Sequence, residues 1–407
     1  MEGALSHVKV LDLSRVLAGP WASQMLADLG ADVIKVEKPG TGDDTRSWGP
    51  PFLPGDGNGT RADAAYYLCA NRNKKSVTID IATEAGQQLV RELASKADVL
   101  IENYKVGGLA RYGLDYASLH ALYPRLVYCS ITGFGQTGPY AARAGYDFLV
   151  QAMGGLMSVT GRGDNEPGAG PLKVGVAVSD LFTGLYASTA ILAALAHRDA
   201  QGQGQHIDLA LLDVQVACMA NQSMNLFYGG QAPGRLGNAH PNVVPYQDFP
   251  TADGHVIVAV GNDGQFARLC AAIGAAELAS DPRYATNVAR VAHRAELVGL
   301  LRTRLLTRGT DAWIAMLEAA DVPCGPINDL ARVFEDPQVQ ARGMHINMAH
   351  PLAGTLDLVG NPIKFSATPV QYRHAPPTLG QHTREVLAAE LGYDVSRLDA
   401  LAAQKVI

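Results

Sequence analysis

Val8-Lys-Val-Leu-Asp-Leu-Ser-Arg-Val-Leu-Ala-Gly-Pro-Trp-Ala-Ser-Gln-Met-Leu-Ala-Asp-Leu-Gly-Ala-Asp-Val-Ile-Lys-Val-Glu37 decides the fold. Residues 8–13 form a short apolar run of strand length. Residues 18–29 have helical spacing, and Gly30 is the stop that a helix C-terminus favours. Residues 32–37 are a second apolar run. Further along, the same alternation repeats. Residues 77–81, 98–103 and 126–131 read as strands; residues 83–97, capped by Thr83, and residues 116–122 read as helices. Strands alternating with helices of this length predict an α/β fold with a Rossmann-like parallel sheet covered on both faces. Ligands in such sheets sit beyond the carboxyl ends of the strands. The segments there are Ser14 to Pro20, Lys38-Pro-Gly-Thr-Gly42, Asn103-Tyr-Lys-Val-Gly107 and Thr132-Gly-Phe-Gly135. All are rich in small residues that let a ligand approach the backbone.

From residue 234 the character changes. Tyr246 to Val260 reads as a hairpin around Asp253-Gly254. Helices follow at about 265–273, 295–306 and 310–319, then a hairpin within 344–365 and a helix at 383–391. The expected division is a large domain over 1–210, a linker helix over 211–235, a smaller α+β domain over 236–325, and a closing segment over 326–407. A chain of 407 residues exceeds what one compact core usually holds.

Composition narrows the function classes. Net charge is −6, with 18% charged residues and no basic run, so no nucleic-acid surface is expected. No leader-like N-terminus and no run of 18 apolar residues is read, so neither export nor a membrane span is expected. The five cysteines, Cys69, Cys129, Cys218, Cys270 and Cys324, lack the paired spacing of a zinc site or disulfide framework. Reduced thiols and a cytoplasmic location are the expectation. No Gly-x-Gly-x-x-Gly follows the first strand, and Gly161-Arg-Gly-Asp-Asn-Glu lacks the third glycine. No Walker-type loop occurs. No metal and no permanently bound cofactor is therefore expected.

Asp180 is the most informative single residue. It lies in Lys173-Val-Gly-Val-Ala-Val-Ser-Asp-Leu-Phe-Thr-Gly184, where a long Ala/Leu/Ile-rich helix begins. A carboxylate there fits either an N-cap, the usual role of such residues, or a nucleophile with space beside it.

Four segments carry a resemblance. They are Leu11 to Pro20, Gly30 to Gly40 with Gly42-Asp43, Asn71-Arg-Asn-Lys-Lys-Ser76, and Val178-Ser-Asp-Leu-Phe-Thr-Gly184. In order and spacing the chain resembles the class III coenzyme A transferases, the family of formyl-CoA transferase and the carnitine and bile-acid CoA transferases. The resemblance runs to Pro323-Cys-Gly-Pro326 and Gly380-Gln-His-Thr383. It implies a large domain built from both chain ends, a small domain inserted between them, and an interlocked homodimer. It implies acyl-CoA and a carboxylic acid as substrates, with Asp180 as the nucleophilic aspartate and Asp147 as a catalytic acidic residue near it. CoA contacts are implied at Val16, Leu17, Ala18, Lys38, Ile79, Ala82, Asn103, Tyr104, Lys105, Arg111, Ala144 and Tyr146. Leu17 replaces a glutamine and Ala144 a lysine of formyl-CoA transferase, so neither that amide nor that cation is available. Arg72, Lys74 and Lys75 are further candidates for the phosphates. Residues 128–139, 143–147 and 244–247 are most similar to the succinyl-CoA:glutarate branch. That similarity implies a dicarboxylic acid, whose second carboxylate needs a cation: Arg46, Arg143 and His240 are the candidates. Two rivals are an α-methylacyl-CoA racemase-like isomerase and a non-catalytic CoA-binding protein. The racemases have a histidine where this chain has Tyr146, a poor base at its ordinary pKa.

Overall fold

The computed structural model describes residues 3–54 and 63–407. A six-stranded sheet holds β1 (Lys9–Asp12), β2 (Asp32–Glu37), β3 (Lys74–Thr78), β4 (Val99–Glu102), β5 (Val127–Thr132) and β6 (His206–Ala210). Its order is β3-β2-β1-β4-β5-β6 and all pairs are parallel. The order reverses between β1 and β4, and that crevice is where doubly wound sheets bind ligands.

Alternation along the strands builds two cores. Val10, Val33, Val99 and Val127 face α1 (Ala18–Asp28) and the helix Val178–Gln201. Leu11, Ile34, Leu100 and Tyr128 face the other side, under Leu89 and Val90, and under Val386, Leu387 and Leu398 from the C-terminal helices. The chain's last segment thus covers the sheet begun by its first. Between α1 and the Asp180 helix, a Cβ on Gly184 would stand 2.8 Å from the Ala18 carbonyl oxygen. Only glycine permits that approach, so the two helix starts lie side by side.

The chain divides into two compact units. One comprises residues 1–156, 174–220 and 337–407; the other comprises 157–173 and 221–336. Against the expected boundaries, 157–173 and 326–336 group with the second unit and 211–220 with the first. The second unit contains the antiparallel sheet β7 (Tyr246–Pro250), β8 (His255–Ala259) and β9 (Cys324–Pro326) over a core of Phe249, Val258, Phe266, Leu301 and Trp313. The first unit also carries the hairpin β10 (His345–His350) and β11 (Gly354–Val359).

Several elements differ from the sequence reading. The Asp180 helix is 24 residues long and, by length and composition, apolar enough to cross a membrane; its buried face packs on α1 and the sheet. The linker helix expected over 211–235 is two, Leu211–Cys218 and Ala220–Gly229, broken where Ala220 takes φ +43°. Strand β3 begins at Lys74, three residues before the expected start, because its lysines are neutralised in place. Lys74 is fully buried, with Nζ 2.9 Å from the Pro20 carbonyl oxygen, 2.9 Å from Asn71 Oδ1 and 3.3 Å from Asp12 Oδ2.

Lys74 belongs to a buried ionic layer beneath the carboxyl ends of β1, β2 and β3. Lys35 Nζ lies 2.9 Å from Asp43 Oδ2 and donates to the Ser14 carbonyl at 2.8 Å. Asp43 Oδ1 accepts from Thr45 N at 3.0 Å and Val16 N at 3.2 Å. Arg46 holds Glu37 through Nε and Nη2 at 2.8 and 2.7 Å, Asp63 through Nη1 at 2.7 Å, and stacks on Tyr67. Ions taken from water need such saturation to persist.

This layer corrects four expectations. Arg46 is no substrate ligand: it is 1% exposed and its donors are occupied inside the fold. Arg72 binds Asp28 at 2.6 Å, Lys75 binds Asp32 at 2.9 Å, and Lys74 is sealed, so these three serve the scaffold and not a phosphate. Replacing Arg46 with Met strands Glu37 as a buried unpaired charge. The expected loss is about 3–5 kcal/mol, read as a lower urea midpoint with an unchanged slope.

Candidate active site

Asp180 is the third residue of its helix, and Ala177 at the N-cap offers no side-chain acceptor. The cap comes from another segment. Asp147 Oδ1 accepts the Ser179 N–H at 2.8 Å, and its Oδ2 accepts from Gln151 Nε2 at 2.7 Å. Gln151 Oε1 accepts Val174 N at 2.9 Å, and Ser179 Oγ donates to Gln215 Oε1 at 2.7 Å. Asp147, expected as a catalytic acidic residue, thus has both oxygens engaged within the fold. The cap role weighed for Asp180 falls to it, and Asp180 is released. Among the described residues the Asp180 carboxylate has no hydrogen bond and no ion pair. Burial first, and the Asp147 charge second, push its pKa up to about 7. A half-buried carboxylate without a partner, its charged form disfavoured, marks a candidate functional group.

Asp180 opens into a cavity of about 180 Å³ at the reversal between β1 and β4. Val16, Leu17, Ala18, Asn103, Tyr104, Lys105, Ala144 and Tyr146, all expected CoA contacts, line it too, together with Arg143, an expected carboxylate ligand. Val16 has φ +71°, a costly conformation for a β-branched residue. Asp43 holds its N–H from below, and Asn103 holds Arg15 beside it: Arg15 N donates to Oδ1 at 2.9 Å and Nδ2 donates to the Arg15 carbonyl at 2.7 Å. Asn103 is thereby a clamp between two loops, with its amide already used. Leu17 stands at the N-cap of α1 without a side-chain cap, so backbone N–H groups and the positive helix end face the Asp180 cavity. Gly133 and Gly145 let the 143–146 segment cross the end of β5; a Cβ on either would stand 2.5 Å from the other's Cα.

A second cavity, of about 540 Å³, shares Arg15, Asp44 and Tyr104 with the first. Lys38, Ile79, Ala82 and Arg111 line it. Lys38, Lys105 and Arg111 are exposed and have no ion pair among the described residues, which separates them from the scaffold cations. Arg143 also lacks a carboxylate partner among the described residues; its guanidinium rests on Tyr140 at 4.5 Å and Phe134 at 5.1 Å. His240 lies in the second unit, with Nδ1 accepting Asn242 N at 3.1 Å. Sequence reasoning missed Arg15, which bridges the two cavities, and Tyr66, whose phenol is pushed up to about 12 by burial and by Cys69, Asp180 and Asp147. Neither residue has a chemical signature in the sequence; only the fold puts them here.

The family model of CoA-transferase family III matches residues 5–383. The chain belongs to this family. It is a class III CoA-transferase, and acyl-CoA is the substrate of such enzymes. The chain is 55% identical over 384 residues to the succinate–glutarate CoA-transferase of Agrobacterium fabrum, covering 94% of this chain and 95% of that one. It is 44% identical over 403 residues to the succinyl-CoA:glutarate CoA-transferase of Homo sapiens, covering 99% and 90%. A crystal structure of a CaiB/BaiF family protein from Brucella suis superposes with a TM-score of 0.83 at 50% identity, over 96% of this chain and 100% of that one.

An Asp180 pKa of about 7 has a measurable consequence. Between pH 4 and 7 the folded transferase keeps a proton that the unfolded chain, with an ordinary aspartate near 3.8, releases. Stability therefore falls as pH rises through that window. Asp180→Asn removes the effect. Its melting temperature should match the wild type near pH 4 and exceed it at pH 8, by the equivalent of about 2–4 kcal/mol.

Proposed function

We propose that the protein moves CoA from succinyl-CoA to a second dicarboxylic acid through covalent intermediates on Asp180. The observation that carries this reading is a partnerless carboxylate, pushed up to about 7, opening into a cavity at the sheet's reversal point. A carboxylate oxygen attacks the thioester carbon, and the C–S bond breaks to give a mixed anhydride and CoA thiolate. The thiolate then attacks the aspartyl carbonyl, which releases the first acid and leaves an aspartyl-CoA thioester. The acceptor carboxylate attacks that thioester, and the freed thiolate takes the new acyl group. No net proton, metal or electron is needed. Charge moves onto a carbonyl oxygen at each step. Backbone N–H groups at the uncapped start of α1 supply the stabilisation that Leu17 cannot. Lys38 and Arg111 meet the nucleotide phosphates from the larger cavity.

Arg143 reads the second carboxylate. Of the three expected cations, Arg46 is locked in the fold, whereas Arg143 lines the cavity at Asp180 with no carboxylate partner among the described residues. The names of the relatives, which pair succinate with glutarate, favour the same substrate class. A dimer is part of the proposal. Phe148, Leu149 and Met153 beside Asp147, and Phe182, Leu185 and Tyr186 beside Asp180, are exposed apolar side chains that a second copy would cover. Cytoplasmic residence is proposed on the five unpaired thiols.

Asp180→Asn should lower kcat by roughly 10⁴ or more and abolish the hydroxamate that hydroxylamine traps on Asp180 during turnover. Full activity in that variant sinks the mechanism. For the wild type, log kcat/KM with succinyl-CoA should climb with unit slope up to about pH 7 and then level, since only ionised Asp180 attacks. Arg143→Ala should raise KM for glutarate about tenfold or more, with little change for a monocarboxylic acceptor. Equal effects on both acceptors would remove Arg143 from specificity.

A further inference from the structure

Glu102 ends β4 and is 5% exposed, yet among the described residues no cation pairs with it. Burial pushes its pKa up to about 7. Its Oε2 accepts the Tyr104 N–H at 2.7 Å, and Ser130 on β5 hydrogen-bonds its side chain. Ser130 Oγ in turn lies 2.9 Å from Nε2 of His206 on β6. Three polar side chains thus link three adjacent strands: Glu102 at the end of β4, Ser130 opposite it within β5, and His206 at the start of β6. The His206 ring stacks on Tyr116 at 4.7 Å, so the far end of the line is fixed as well. A hydroxyl carries one proton. While Glu102 is ionised it can only accept, so Ser130 Oγ donates to it and is left to accept from His206 when that ring carries its proton on Nε2; a protonated Glu102 brings a donor of its own. Tyr104 N–H keeps its acceptor in both states.

Tyr104 is the residue common to three cavities: the one holding Asp180, the one holding Lys38 and Arg111, and a third of about 290 Å³ lined by Glu102, Ser130 and His206. Its ring also lies 5.5 Å from the Arg15 guanidinium. Asn103, between Glu102 and Tyr104, is the clamp on the Arg15 backbone and so on the strained Val16 turn. Whatever sets the backbone at 102–104 sets the wall between the two cavities.

We propose that Glu102, braced by Ser130 and His206, is a positioning residue that fixes Tyr104 and Asn103 for CoA binding. It touches no reacting atom. The inference rests on the reading that these cavities take a CoA thioester.

The test uses the full chain with free CoA in calorimetry and succinyl-CoA in steady-state kinetics. Glu102→Ala should weaken CoA binding and raise KM for succinyl-CoA by about tenfold, while KM for the acceptor acid stays within about twofold. Glu102→Gln keeps an acceptor for Tyr104 N–H and a partner for Ser130, and should recover most of the loss. Ser130→Ala should shift the same two quantities about threefold and add nothing to Glu102→Ala. Unchanged CoA binding in Glu102→Ala overturns the inference, as does an equal loss in all constants with no recovery by glutamine. Should Glu102→Ala fail to fold, Ser130→Ala decides: wild-type CoA affinity there overturns it. A wild-type protein that does not bind CoA sinks the earlier reading instead.

Discussion

The buried pair of Lys35 and Asp43 is the constraint on which the site depends. Both side chains are fully enclosed. Burial alone would raise the Asp43 carboxyl; the Lys35 ammonium and the Thr45 donors outweigh it and hold it below the usual carboxylate range. A charge kept ionised in the interior has almost no freedom to move, because every displacement exposes an uncompensated ion. Asp43 spends its other oxygen on Val16 N–H, so a stiff ionic layer sits directly beneath a left-handed turn. That explains how Val16 tolerates a conformation its side chain opposes. The turn delivers Leu17 and Ala18, and with them the free start of α1, to the side of Asp180.

Asp180 is built on the opposite principle. The scaffold carboxylates each have cations or several donors. Asp180 has a like charge nearby and no donor among the described residues. The contrast is local: Asp147, one helix start away, takes the Ser179 N–H and the Gln151 amide that an ordinary N-terminal carboxylate would use. Transferring the cap to a second residue lets the helix begin in good order while its own aspartate stays uncommitted. The fold thereby keeps a carboxylate whose ionisation it disfavours, at a cost in native-state stability near neutral pH.

Cations sort by the same logic. Sequence alone makes Arg46, Arg72, Lys74 and Lys75 look equivalent to Lys38, Lys105 and Arg111, since all follow or flank strand ends. The first four meet carboxylates, Arg46, Arg72 and Lys74 in the interior and Lys75, half-buried, beside Asp32 at the start of β2. The other three point outward and remain unpaired among the described residues. Nothing in residue type distinguishes them; direction relative to the sheet does.

The sequence by itself determined the alternation that makes a parallel sheet, the placement of small residues at strand ends, and the Asp180 segment, because hydrophobic period and chain punctuation are local properties. It also carried the family, whose segments lie in order along nearly the whole chain. Tertiary structure alone decided the rest. β3 starts at Lys74 because Asp12, from a strand 62 residues earlier, neutralises it. The C-terminal helices cover the sheet of the first residues because their apolar faces fit Leu11 and Ile34. Asp147 caps and Asp180 stays uncommitted because the one backbone N–H at Ser179 goes to Asp147. Such partnerships join residues far apart in the chain, and local pattern holds no record of which pairs will meet.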